Sequence, residues 1–237
     1  MKLRKFFLQN LFLTIILSFI IVFPVEGSED KKTSNENKCV YITFDDGPTY
    51  ITNKLLDVLK EKNVKATFFV VGKEIEGRED ILKRIYDEGH SIGLHTYSHN
   101  FRKVYKSEDD FINEMIRTSD KVKEVTGFTS NIIRFPGGSS KHLNESFLNK
   151  LHSNNYKIYD WNANLYDGDY PNLSVYRFTE NSKRFKGSSS EVIILMHCNS
   201  NNKNTLKALP IIIDYYKNSG YKILPITENT KEYYYRY

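Results

Sequence analysis

The sequence predicts an α/β domain, a distorted (β/α) barrel with about seven parallel strands. Two observations lead there. From residue 39 onward, short apolar runs alternate with longer stretches whose apolar residues recur at helical spacing, and strand-helix repetition implies parallel strands with helices outside. In addition, Asp45 and Asp46, His95 and His99, Arg134, Asp167 and His197 fall at or just past the ends of those runs, where barrel loops converge over one mouth. Positions far apart in the chain would then share one rim.

The expected strands cover residues 39–44, 66–71, 91–94, 132–134, 157–161, 192–196 and 222–224. Helical patterns cover 52–62, 78–88, 107–125, 144–154, 174–185 and 204–218. In the third of these, Phe111, Met115, Val122 and Val125 recur on one face; in the last, Leu206, Leu209, Ile213 and Tyr216 do so. Seven strands and six helices fall short of eight repeats, so an incomplete barrel is expected. No internal repeat and no linker divides residues 39–237, which read as one domain.

Ahead of it, basic residues Lys2, Arg4 and Lys5 precede a largely apolar stretch from Phe6 to Val25, the layout of a secretory signal peptide cut after Gly27 or of an uncleaved membrane anchor. Residues 28–38 are polar and read as a tether, so the domain is expected to be exported, secreted or held at the cell envelope. The chain of 237 residues carries a net charge of +5, which falls to +3 without the first 27 residues, too weak an excess to argue for nucleic acid. Its two cysteines, Cys39 and Cys198, exclude a disulfide scaffold and a cysteine-based zinc site. On parallel strands they would lie at opposite ends of the barrel and stay unpaired.

The motifs carry chemistry of a definite kind. Thr43 to Thr49 (TFDDGPT) ends the first strand with adjacent carboxylates before a Gly-Pro turn. His95 to His99 (HTYSH) sets two imidazoles four residues apart, which one helical turn would bring to one face; neutral imidazoles suit zinc, and a carboxylate would complete a three-ligand site. Arg134 to Gly138 (RFPGG) runs from a buried strand into an arginine that needs an anionic partner, the Asp pair being the candidate. Residues 193–197 (IILMH) form an apolar strand ending in histidine, and Asp160 to Asp167 (DWNANLYD) offers carboxylates that could orient it. His90, His142 and His152 read as surface residues.

Taken in order, TFDDGPT, HTYSH, RFPGG, DWNANLYD and LMH resemble the motifs of the polysaccharide deacetylase family, the carbohydrate esterases with a NodB homology domain, over residues 39–224. The resemblance implies a NodB-like barrel and metal-dependent removal of acetyl groups from polysaccharides. It implies Asp45 as general base, Asp46, His95 and His99 as ligands of a divalent ion, Zn2+ first and Co2+ second, and Arg134 as the group holding the base. His197 matches the acid and Asp167 its partner, with Asp160 and Asp169 as competitors for that role; Gly137 matches the N–H facing the oxyanion and Leu195 the acetyl methyl pocket. Two positions depart from the pattern. Gly168 replaces an aromatic residue found in many relatives, which implies a more open pocket, and Asn164 replaces a second aspartate. The expected substrate is an extracellular N-acetylglucosamine polymer, peptidoglycan first, with chitin-type oligosaccharide, xylan or exopolysaccharide as alternatives. A monomer is expected, and an inactive carbohydrate-binding relative is the competing class.

Overall fold

A computed structural model describes residues 38–235. The expected signal or anchor segment, and the tether apart from Lys38, lie outside the described residues. Within them the order is β1 (Cys39–Gly47), α1 (Tyr50–Glu61), β2 (Thr67–Val70), α2 (Glu79–Asp87), β3 (Ser91–Leu94), α3 (Phe101–Val104), α4 (Glu108–Thr126), β4 (Ile132–Ile133) and α5 (Glu145–Ser153). There follow β5 (Lys157–Ile158), β6 (Ala163–Asn164), α6 (Val175–Ser182), β7 (Glu191–His197), α7 (Lys203–Asn218) and β8 (Lys222–Ile223).

Every strand pairing is parallel, in the order β5-β4-β3-β2-β1-β7-β6, with β8 pairing β1. The two edge strands, β5 and β6, are joined by residues 159–162 alone. Five Cα steps of about 3.8 Å hold those edges within roughly 19 Å of one another, so the sheet curls into a barrel left open between them. Compared with the sequence reading, β6 is an added strand, the strand expected over 157–161 shortens to two residues, and α3 is an added single turn.

Side-chain alternation sorts the barrel wall. Along β1, Val40, Ile42 and Phe44 pack outward in the large core under the helices, while Tyr41 joins Phe69, Ile132, Tyr159, Ile193 and Ile226 in a smaller inner cluster. The β1–β7 register pairs Tyr41 with Ile193, Thr43 with Leu195 and Asp45 with His197. Reading up the interior therefore goes from apolar to hydroxyl to charged, and the charges end at the C-terminal rim. The helices seal the outside with ordinary signals. Ser107 caps α4 by accepting from Asp110 N at 3.0 Å, Glu108, Asp109 and Asp110 occupy its first turn, and Gly127 ends it at φ 74°. Ile51, Leu55, Leu56 and Leu59 bury one face of α1.

Candidate active site

Two successive strand residues normally point to opposite faces, yet Asp45 and Asp46 face one cavity. The β1–β2 register explains how: Asp45 pairs with Phe69 and Gly47 with Val70, so Asp46 is an extra, bulged residue, held at φ 70°. A positive φ at a non-glycine residue costs on the order of 1–3 kcal/mol and is maintained by its surroundings. Here Asn199 donates to Asp46 Oδ2 at 3.0 Å.

His95 extends β3 and His99 lies in the following loop. The helical turn expected to align them is not what forms. Thr96 at φ 65° and His99 at φ 49° fold the segment back on itself instead, bringing the ring centroids to 5.0 Å. Glu114 of α4 fixes this loop by accepting from Tyr97 N at 3.0 Å and Ser98 N at 2.6 Å. Both imidazole Nε2 atoms point at Asp46 Oδ1, His99 from 3.3 Å and His95 from 3.6 Å. That oxygen is buried and has no hydrogen-bond partner among the described residues. His95 Nδ1 is engaged with the Arg134 carbonyl at 2.9 Å, which fixes its proton there and leaves the Nε2 lone pair free. Burial holds the His99 imidazole down at about 4, and the neighbouring imidazoles keep the Asp46 carboxyl below its usual range against the opposing effect of burial. An orphaned carboxylate oxygen and two neutral imidazole nitrogens form a donor set that fits zinc or a similar divalent ion.

Arg134 is wholly buried behind Asp45. Its guanidinium donates to Asp45 Oδ1 at 2.8 Å, Thr43 Oγ1 at 2.7 Å and the carbonyls of Tyr159 and Asp160 at 2.7 and 3.2 Å. It also lies 4.0 Å from the Phe69 ring centroid. Such a cation is rigid, and it fixes which Asp45 oxygen is left facing the cavity.

His197 stands beside Asp45, at the end of the neighbouring strand β7. Asp167 Oδ1 lies 2.9 Å from its Nδ1, and Asp167 Oδ2 accepts from His197 N at 2.9 Å and Thr205 Oγ1 at 2.7 Å. Burial opposes a charge on His197, yet the Asp167 hydrogen bond and the charges of Asp167, Asp45 and Asp46 prevail, raising it to about 9. The competing aspartates stand elsewhere. Asp160 accepts from Ser139 N and Tyr235 N, pinning the glycine turn to the C-terminal segment, and Asp169 lines the cavity mouth. Gly168 does not leave open space: a Cβ there would lie 2.6 Å from His197 Cε1, because the imidazole packs onto the glycine backbone.

Asp45, Asp46, His95, His99 and His197 line one cavity of about 390 Å³, with Gly137 and Leu195 on its wall, while Arg134 and Asp167 lie buried behind it. Gly137, at φ 76°, donates its N–H to no group among the described residues. A larger cavity of about 580 Å³ lies at the opposite end of the strands, mostly apolar and remote from the carboxylates. The two cysteines are free. Cys39 opens β1, while Cys198 is buried behind Asp45, donating its thiol to the Asp45 carbonyl at 3.1 Å, and burial pushes its pKa up. Of the histidines read as surface residues, His142 stacks on Tyr105 and His152 is exposed beside Glu232, but His90 is buried against Phe68. Sequence reasoning missed Glu114, Asn199 and Thr205, which reach the site from α4, the loop after β7 and α7.

Residues 32–159 match the family model described as polysaccharide deacetylase. A peptidoglycan-N-acetylglucosamine deacetylase of Bacillus cereus is 34% identical over 191 residues, covering 79% of this chain and 68% of that protein. Among solved structures, the polysaccharide deacetylase Bc1974 of Bacillus cereus superposes with a TM-score of 0.75 at 32% identity, over 82% of this chain and 94% of that one. The catalytic domain of a peptidoglycan N-acetylglucosamine deacetylase from Eubacterium rectale gives a TM-score of 0.77 at 30% identity, over 84% and 93%.

Proposed function

Because this chain belongs to the polysaccharide deacetylase family, we propose that it hydrolyses N-acetyl groups on an exported N-acetylglucosamine polymer, peptidoglycan first, with a divalent metal, zinc or cobalt, held by Asp46, His95 and His99. The observation that carries the reading is the placing of two pairs, Asp45–Arg134 and His197–Asp167, on adjacent strand ends at the cavity that also exposes the Asp46 donor set. Amide hydrolysis needs a base at the attacking water and an acid at the departing nitrogen, and two residues in opposite charge states supply both.

A divalent ion in that donor set supplies Lewis acidity at the acetyl carbonyl and lowers the pKa of water. The chain does the rest. Asp45, with one oxygen committed to Arg134, takes the proton of the attacking water on its other oxygen. The developing oxyanion faces the Gly137 N–H, and the acetyl methyl sits against buried Leu195. His197, doubly protonated with Nδ1 on Asp167, delivers the Nε2 proton to the amide nitrogen, so the C–N bond breaks and acetate and a free amine remain. Export follows from the basic and apolar residues of the first 27 positions.

Acetate release from purified peptidoglycan, chitin oligosaccharides, acetylated xylan and an N-acetylglucosamine exopolysaccharide, each with and without a chelator, tests the proposal. Release from peptidoglycan that a chelator abolishes is expected. Glycan binding without acetate release would identify a carbohydrate-binding protein instead, and release from xylan alone would move the reaction to O-acetyl esters.

A further inference from the structure

The catalytic cavity does not end at His197. A second cavity of about 320 Å³ shares Trp161, Asn164 and Tyr166 with it, so the two are parts of one groove running over β6. The volume suits a ligand group of about one sugar. The two parts differ in charge. The catalytic part is lined by Asp45, Asp46 and Asp169, whereas the lateral part carries Arg184 and Lys186 and no carboxylate. Neither cation is engaged in an ion pair among the described residues, in contrast to nearby Lys183, which pairs with Glu180 at 2.6 Å. Both are exposed, and the backbone that carries them is anchored: Lys186 N donates to Asn162 O at 2.9 Å, and Phe185 bridges Ala163 of β6. Aromatic rings line the same cavity. Tyr235 donates its hydroxyl to the Trp161 carbonyl at 2.8 Å and packs edge-on to the Trp161 ring, and Tyr166 stands 49% exposed at the junction of the two cavities.

Aromatic rings and two cations that form no ion pair among the described residues, lining one cavity next to a pocket crowded with carboxylates, are complementary to a sugar bearing a carboxylate that lies beside the acetylated sugar. We infer that the groove formed by Trp161, Tyr166, Tyr235, Arg184 and Lys186 selects glycan strands in which the sugar neighbouring the N-acetylglucosamine carries a carboxylate, such as a free lactyl group. The inference rests on the deacetylase reading and adds to it a preference for acidic over neutral strands.

Peptide-free glycan strands with free lactyl carboxylates, the same strands after methyl esterification, and strands with their peptides attached separate the sources of charge. Initial rates of acetate release give kcat/KM for each. The wild-type protein is expected to prefer the free acid over the ester by roughly fivefold, through KM, since exposed ion pairs are individually weak. R184Q/K186Q should abolish the preference, and raising the salt concentration should erode it. Equal kcat/KM on acid and ester, or a preference that survives R184Q/K186Q, would overturn the inference while leaving the deacetylase reading intact. A preference confined to peptide-bearing strands would overturn it too, by placing the recognised charge on the peptide. No acetate from any strand would overturn the deacetylase reading and this inference together.

Discussion

Two histidines, one half-buried and one buried, stand at opposite ends of the same barrel and are driven in opposite directions. His197, at the C-terminal end of β7, is raised to about 9; His90, just before the N-terminal end of β3, is lowered to about 4. Burial opposes the charge of both. At the floor it wins, because His90 sits edge-on to Phe68 and accepts a hydrogen bond from Ala66 N at 3.1 Å, which only a neutral ring can do. At the rim it loses, because the alternation of β1 and β7 delivers Asp45 and His197 side by side and Asp167 reaches the ring from the β6 loop. The contrast teaches that the parallel barrel, rather than any one residue, separates a neutral apolar floor from a rim where carboxylates accumulate.

The largest effects are expected where the rim is broken. Asp45→Asn should lower kcat by about 10³ while the protein keeps its metal, because in the proposed mechanism the base is lost and the ligands stay. Asp46→Asn should lose the metal itself. Metal content and rate measured on both variants check this, and equal content with equal residual activity would show the pair misassigned.

Next comes the acid. With His197 raised, the alkaline limb of kcat/KM should lie above the ordinary imidazole value of 6.5, toward about 9. Asp167→Asn removes the main group that raises it, so the limb should move to lower pH and kcat should fall by about 10². An unmoved limb in that variant would assign the acid role to another group. The same shift bears on stability: a histidine raised when folded contributes stability fully below pH 6.5 and loses it as pH rises through about 9.

A smaller effect is expected from Gly168→Ala. Its Cβ would lie 2.6 Å from the His197 ring, so the imidazole must shift, and a roughly tenfold loss in kcat with little change in KM is expected. Wild-type kcat in that variant would mean the ring yields without cost.

At the floor the expected change is in stability alone. A folded-state value depressed from 6.5 to about 4 means the unfolded chain binds the extra proton first, so stability falls as pH drops below 6.5, by on the order of 3 kcal/mol in all. His90→Gln should flatten that acid slope in denaturant titrations between pH 4 and 7 and leave turnover unaltered. A slope that persists would assign the acid lability to other groups.

The same two regions differ in how well the sequence discloses them. The rim is legible because TFDD, HTYSH and LMH each couple an apolar strand to reactive residues at its end, a pattern that alternation and barrel geometry interpret directly. Asp167 was one of three aspartates there, and choosing among them required knowing that Asp160 turns toward Ser139 and Tyr235. The β-bulge at Asp46 and the left-handed residues Thr96 and His99 carry no compositional signal, so the loop that folds the histidines together reads as a helical turn. A two-residue strand such as β6 is too short to show a period. His90, lying between a glycine and a serine, gives no hint of burial, because the ring that covers it comes from another strand. Gly168 reads as open space only until the His197 imidazole is seen filling it.

Asp46, His95 and His99 are proposed to hold the metal on which hydrolysis depends. Titrating zinc into the chelator-stripped protein, with bound metal and acetate release from peptidoglycan followed on the same samples, addresses it directly. Activity is expected to rise in proportion to occupancy and to level off at about one zinc per chain. Full acetate release from the stripped protein, or tight zinc binding that leaves the rate at zero, would contradict it.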